Sequence, residues 1–432
     1  MPLRQGLLGV DVFFVISGYL ITGILIRELD DTGTISWGRF LARRIRRLLP
    51  AAVLVLAATA VVAWFVVPGL RRVTIGADVA GAALYVVNWV FAHRAVDYLS
   101  ADATPSPVQN YWSLSVEEQF YVLWPLALIA VAWLGRRVSS RSLRPAAIAV
   151  LLAAISVPSF AYAAWLGHVD PARSYFVTTT RAWELGVGAA LALAVAHSRL
   201  PDLVQRHPRL AAVAGWAGLV AILATAYRLP TGAVWPGPWT LLPTLGAAAV
   251  LASGLAGPRG PGRLLGTAPM VWIGGLSYSL YLWHWPALVL TEWAVGPLTT
   301  PEMAAVMALA VLPAWASLRL IERPIHHSTT LARRVRPVLA LGVSLSAAGA
   351  LVGLPLATAT SEFRTTPASG VRPAITSLGA GTMTDPPSTD PAAYAGTWDW
   401  VTPDPERAGE DRPAADVDHC QVDRLTTVPV RC

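Results

Sequence analysis

Charge is scarce in this sequence. Only 14% of its 432 residues are Asp, Glu, Lys or Arg, where a soluble globular chain usually carries about 25%. Cysteine is scarcer still: Cys420 and Cys432 are the only two, and both lie in the polar C-terminal tail. The apolar region therefore has no thiol, and no His or Cys cluster has metal spacing. Other signatures are missing as well. There is no phosphate-cradling Gly-rich loop followed by Lys and no G-x-S-x-G elbow. No bound cofactor and no metal is expected. No cleavable signal peptide is expected, since the apolar run begins almost at Met1.

What is present is hydrophobic length. The apolar share is 54%, with eighteen Trp and thirty-four Pro, and the mean hydropathy is +0.51. About 20 apolar residues cross the roughly 30 Å hydrocarbon core. Candidate spans fall near 7–27, 48–67, 75–92, 112–134, 145–166, 177–196, 210–226, 239–256, 268–292, 302–320 and 337–357. The expected fold class is an all-α integral membrane protein: a polytopic bundle of about ten to eleven apolar helices, one re-entrant, with an irregular C-terminal tail. From Ser361 to Cys432 the chain is rich in Pro, Thr, Ala, Gly and Asp and shows no period, as a linker does.

The net charge of +7 does not point to nucleic acid. The arginines crowd into short loops at Arg39–Arg47, Arg136–Arg144, Arg199–Arg209, Arg259–Arg263 and Arg323–Arg336. That is the pattern of cytoplasmic loops in a bilayer protein. From Arg136 onward each basic loop lies two spans after the last, which carries the tail to the outside. Upstream, three apolar segments separate two basic loops, and an odd number cannot return the chain to the same side. The segment 75–92, short and carrying Asp78 and Asn88, is the one expected to be re-entrant.

Six stretches carry polar chemistry. In Tyr111-Trp112-Ser113-Leu114-Ser115-Val116-Glu117-Glu118-Gln119-Phe120-Tyr121, two carboxylates open a long apolar helix. Such groups are costly unless paired, protonated or facing water. The spacing predicts Ser113 on the side of Glu117, and Ser115 and Tyr121 on the side of Glu118. Ser113 or Ser115 serves equally as a helix N-cap. In Gly9–Thr22, Asp11 begins a helix whose other polar groups are hydroxyls such as Ser17, and Gly9, Gly18 and Gly23 permit close helix approach. In Arg39–Pro50, Arg43, Arg44 and Arg46 suit phosphate oxygens or lipid headgroups. In Arg181–Gly188, Arg181 and Glu184 are three apart and face one another as an ion pair. His284 lies deep in Leu276–Pro286, near Tyr281. At Ile321-Glu322-Arg323-Pro324-Ile325, the proline is expected to stop a helix.

Taken in order, these strings (GVDVFFVISGYLIT, RFLARRIRRLLP, NYWSLSVEEQFYVLWP, WELGVGAALA, LSYSLYLWHWP and IERPI) resemble the acyltransferase-3 family of bacterial membrane acyltransferases. The resemblance covers about residues 6–325. It is most similar to the branch that modifies cell-envelope glycans and carries an extracytoplasmic SGNH-type domain after one extra helix. On that reading, residues 1–325 form the acyltransferase-like membrane domain and 326–360 a linker and extra transmembrane helix. Residues 361–432 form an extracytoplasmic linker and the start of an SGNH-like domain, where Cys420 and Cys432 would oxidise to a disulfide.

The resemblance implies acyl transfer, usually acetyl, from cytoplasmic acyl-CoA to a sugar hydroxyl of the envelope: peptidoglycan, lipopolysaccharide or another polysaccharide. It implies a multi-pass protein of the bacterial inner membrane, with acyl-CoA, an envelope glycan and the lipid bilayer as partners. Glu117, Glu118 and His284 would be catalytic. Arg43, Arg44, Arg46, Ser17, Trp112, Ser113, Ser115, Arg181, Glu184 and Tyr281 would bind substrates. The family also has an earlier helix bearing a His base, and a Gly-Asp-Ser-His block in its second domain. Neither string is in this sequence, so a chain truncated at both ends is expected. Two other readings stay open. One is a transporter or flippase that uses the same intramembrane Glu, Arg and His to line a path. The other is an inactive fragment.

Overall fold

Hydrophobic length decides most of the architecture. The computed structural model describes residues 3–94, 105–137, 144–228, 235–257 and 259–358, and all of them lie in one compact unit that runs to Thr358. Among them the chain is helical, without strands. The helices are α1 (Leu3–Thr32), α2 (Trp37–Val66), α3 (Gly69–Ala83), α4 (Val87–Arg94), α5 (Tyr111–Arg137) and α6 (Arg144–Val169). They continue with α7 (Pro171–Phe176), α8 (Ala182–His197), α9 (Leu200–Arg206), α10 (Pro208–Arg228), α11 (Leu241–Ser253), α12 (Gly262–Leu265) and α13 (Ala268–Val295). The last are α14 (Thr300–Ser317), α15 (Arg323–His326), α16 (Thr329–Ala332) and α17 (Val335–Ala357).

Eight of the described helices are long and apolar enough to cross a membrane, and nine if the bent pair α8–α9 counts as one span. The protein is thus a multi-pass, all-α membrane protein. Two of the eleven sequence-based candidates fall short. Segment 268–292 is long enough, since α13 has 28 residues, but its Trp, Tyr, Ser and His content lowers its hydropathy. Segment 75–92 is not one helix: α3 ends at Ala83 and α4 begins at Val87.

The break between them has a defined geometry. Val86 N–H donates to Gly81 O (2.9 Å) and Tyr85 N–H to Ala82 O (3.1 Å). These two bonds form the Schellman closure of a helix end, which places the residue after the cap in the left-handed region. Glycine usually stands there; here it is Tyr85, with φ +56°. A left-handed non-glycine residue costs about 1–2 kcal/mol. Gln119 of α5 offsets this by donating to Tyr85 O (2.9 Å) and to Asn88 Oδ1 (3.0 Å). With neither Gly nor Pro at the turn, local signals give no warning of it.

Small residues set the closest helix contacts. α1 packs along α8, and a Cβ on Gly18 would overlap Leu185 O while one on Gly188 would overlap Val15 O. Gly9 and Gly23, which the sequence also marked for close approach, face open space. α17 lies against α2 and α3, where Gly353 and Gly76 leave no room for each other's Cβ. Pro324 does not stop its helix. A π turn over Leu318–Glu322 leads directly into α15, and the helix runs past Pro324 to His326.

Candidate active site

Helix α5 anchors the site. The Tyr111 hydroxyl donates to Ala52 O of α2 (2.8 Å), and Asn110 Nδ2 to Tyr281 O of α13 (2.7 Å). Glu117, two turns on, is only 3% exposed. Its Oε1 accepts the hydroxyls of Ser17 from α1 and Tyr121 from α5, which themselves lie 2.5 Å apart. Tyr121 therefore belongs to the face of Glu117, not that of Glu118 as the sequence reading placed it. At about 100° per residue, four positions advance about 400°, a net of about 40°. Three positions fall about 60° short of a full turn.

These groups open into a cavity of about 480 Å³. Its lining includes Gly9, Phe13 and Ser17 of α1, Arg44 and Arg47 of α2, Glu117 and Tyr121 of α5, and Tyr278, Tyr281 and His284 of α13. Its wall on α1 runs from Gly9 to Ile21, about 18 Å at 1.5 Å per residue. At one end the Arg44 guanidinium lies 4.8 Å from the centre of the Tyr121 ring. At the other, the Tyr281 hydroxyl donates to Asn110 O (2.9 Å) and meets the Ser113 hydroxyl (2.5 Å) at the start of α5. Between the ends, the Tyr278 hydroxyl donates to Leu48 O (2.7 Å) and ties α13 to α2.

His284 sits at the Tyr281 end. Its Nδ1 is 2.7 Å from Tyr281 O and 3.3 Å from Leu280 O. A carbonyl only accepts, so Nδ1 carries the proton and Nε2 is left as the basic nitrogen. The arrangement thus has a cationic end, a carboxylate with two hydroxyl partners in the middle, and an imidazole at the far end.

Other residues marked in the sequence lie elsewhere. Arg43 is exposed and pairs with Glu28 at 3.4 Å. Arg46 is buried, and its guanidinium reaches the carbonyls of His326 (3.4 Å), the last residue of α15, and Ser328 (3.3 Å). Of the three predicted arginines only Arg44 reaches the cavity. Arg47, one turn further along the same face, joins it; that i, i+3 spacing was the available signal. Ser115 donates to Tyr111 O within α5 (3.0 Å) and does not line the cavity. Because α5 begins at Tyr111, neither Ser113 nor Ser115 is its N-cap.

Glu118 faces a different space. It lines a lateral groove of about 580 Å³ together with Leu49, Tyr85, Gly342 and Ser346, and Arg44 borders this groove as well as the cavity. The two adjacent carboxylates are thus divided between two environments, as a turn of about 100° dictates.

Arg181 and Glu184 form their predicted pair at 3.0 Å. A third member was hidden from the sequence: Asp11 Oδ1 lies 2.8 Å from the same guanidinium nitrogen. Asp11 does not begin α1; it lies well inside the helix. Arg181 is 1% exposed and both carboxylates are fully buried. Trp112 and Tyr175 cover the guanidinium, with ring centres 5.3 and 5.0 Å away. Trp112 packs in turn on Tyr175 (4.6 Å) and Phe14 (6.2 Å). Trp112, Arg181 and Glu184 therefore build a closed ionic core and do not line the cavity. Cys420 and Cys432 lie outside the described residues.

The described helices form a membrane bundle with a cavity between α1, α2, α5 and α13 that Arg44 and Arg47 border. The chain belongs to the acyltransferase family, whose acyltransferase domain it matches over residues 3–319. A putative peptidoglycan O-acetyltransferase of Bacillus subtilis is 33% identical over 329 residues, covering 74% of this chain and 50% of that protein. A peptidoglycan O-acetyltransferase of Listeria monocytogenes is 32% identical over 335 residues, covering 74% and 51%. A putative O-acetyltransferase of Staphylococcus aureus is 30% identical over 343 residues, covering 78% and 55%. The chain spans about half the length of these curated relatives. No solved structure matches it.

Proposed function

We propose that this chain is the membrane part of an O-acetyltransferase of the bacterial cytoplasmic membrane, with acyl-CoA as donor and a peptidoglycan hydroxyl as acceptor. The observation that carries the reading is the cavity that joins Arg44 and Arg47 to Ser17, Glu117, Tyr281 and His284. A cytoplasmic arginine end follows the distribution of basic loops, and it leaves the tail outside. Arg44 and Arg47 hold donor phosphates, since guanidinium groups bind phosphate oxygens by charge-assisted hydrogen bonds. The basic Nε2 of His284 takes the proton of the attacking hydroxyl at the opposite end. Glu117, held by Ser17 and Tyr121, lies along the acyl path between them. The O-acetyltransferase names of the relatives support acetyl as the group moved.

The test is ester formation. Membranes containing the protein are given acetyl-CoA and muropeptides, and alkali-labile acetate on the glycan is measured. Wild type is expected to form ester, and Glu117→Gln and His284→Gln to lose most of it at unchanged protein level. Movement of unmodified glycan without acetyl-CoA would instead establish a transporter. Full ester formation in both variants would overturn the residue assignment.

A further inference from the structure

This inference rests on the functional reading above, with the donor on the arginine side and the acceptor on the other. In that reaction the thioester C–S bond breaks and a C–O bond to the acceptor forms. The acceptor hydroxyl loses a proton and the thiolate sulfur gains one. The proton is released at the His284 end, yet the sulfur needs it at the Arg44 and Arg47 end. If the proton stayed on the acceptor side, each turnover would release one proton there and consume another on the donor side. One positive charge would in effect leave the cell. Against an inside-negative potential that costs about 2.3 kcal/mol per 100 mV.

The cavity contains a group placed to remove this cost. Ser17 of α1, Arg44 and Arg47 of α2, Tyr121 of α5, and Tyr278, Tyr281 and His284 of α13 line the same cavity as Glu117. Arginine does not release its proton in a protein. Tyrosine and serine hydroxyls ionise too reluctantly to act as carriers near neutral pH. That leaves His284, at the acceptor end, and Glu117, the one carboxyl among the described residues that line the cavity. Tyr121, whose hydroxyl bonds to Glu117, has its ring beneath the Arg44 guanidinium, so the carboxyl's hydroxyl partner lies next to the donor end.

We propose that Glu117 carries the acceptor's proton back to the leaving thiolate, so that each acyl group moved outward is matched by one proton moved inward. Transfer then moves no net charge and leaves the pH of both compartments unchanged. His284 takes the proton from the hydroxyl, Glu117 receives it, and the thiolate accepts it as free thiol.

The test uses the full-length protein in sealed proteoliposomes. Acetyl-CoA is supplied on the arginine side and muropeptides on the other, with a pH indicator in weak buffer on the acceptor side. Valinomycin and potassium clamp the potential. Wild type is expected to form ester with no acid released on the acceptor side. Glu117→Gln keeps the shape and the hydroxyl contacts but cannot carry a proton. Its transfer is expected to be about 100-fold slower, with one proton released on the acceptor side per residual ester. A purely structural role for Glu117 would slow transfer without changing that stoichiometry. Wild type releasing one proton per ester would overturn the proposal while leaving the acyltransferase reading intact. Absence of ester in sealed wild-type vesicles would overturn the functional reading itself.

Discussion

Helix α1 contributes to two buried polar groups less than two turns apart. Asp11 points toward α8 and joins Arg181 and Glu184; Ser17 points toward α5 and joins Glu117. Both groups place carboxylates inside a membrane bundle, and both bring an arginine near a tyrosine ring. In the first, the arginine is sealed beneath Trp112 and Tyr175 and bonded to Tyr175 O, Asp11 and Glu184. In the second, the arginine borders a cavity and the carboxylate has hydroxyls rather than cations as hydrogen-bond partners. Residue type does not separate structural ions from reactive ones here. Access does: a closed cluster stabilises an interface, while a carboxylate beside open volume can exchange a proton with a substrate.

Five substitutions would break or sharpen this contrast. The largest effect is expected from Arg181→Leu, which leaves Asp11 and Glu184 buried without their cation. Breaking a buried pair in this way costs about 3–5 kcal/mol. Thermal unfolding in detergent should show a sharply lower midpoint and poor yield; an unchanged midpoint would mean that the cluster is not structural.

Glu117→Gln is the counterpart on the cavity side. Its melting should stay close to wild type while acyl transfer falls by about 100-fold. A large loss of stability would move Glu117 into the same class as Arg181.

Next in size are the two cavity arginines. Arg44→Gln and Arg47→Gln each remove charge-assisted bonds worth about 1.5–3 kcal/mol. The expected result is a KM for acetyl-CoA raised roughly tenfold or more, with kcat little changed. Arg43→Gln serves as the control, since Arg43 pairs with Glu28 outside the cavity.

Glu118→Gln should have the smallest effect, within about 0.5 kcal/mol or roughly twofold in rate, because Glu118 faces the lateral groove. A loss as large as that of Glu117→Gln would show that both carboxylates act on one substrate.

Much of the bundle was legible from hydropathy alone, because length and apolarity are local properties that a bilayer reads directly. Segment 75–92 stood out by its shortness, its Asp78 and the parity of the basic loops. The way it breaks did not, because a tyrosine in a left-handed Schellman position leaves no local mark. The site was legible as a set of residue types. Ser17, Arg44, Glu117, Tyr281 and His284 were all marked, and all line one cavity. Arg43, Arg46, Trp112, Ser113, Ser115, Glu118, Arg181 and Glu184 were marked as well, and linear spacing could not sort them.

The sequence by itself determined a multi-pass helical protein of the acyltransferase family, with a few costly polar groups within its spans. Tertiary structure decided what each polar group does. Asp11 meets Arg181 across 170 positions, and Ser17 meets Glu117 across 100. Hydrophobicity acts on each segment separately, so it can be read along the chain. Ion pairs and cavities depend on which helix faces pack together, and only the folded bundle fixes that.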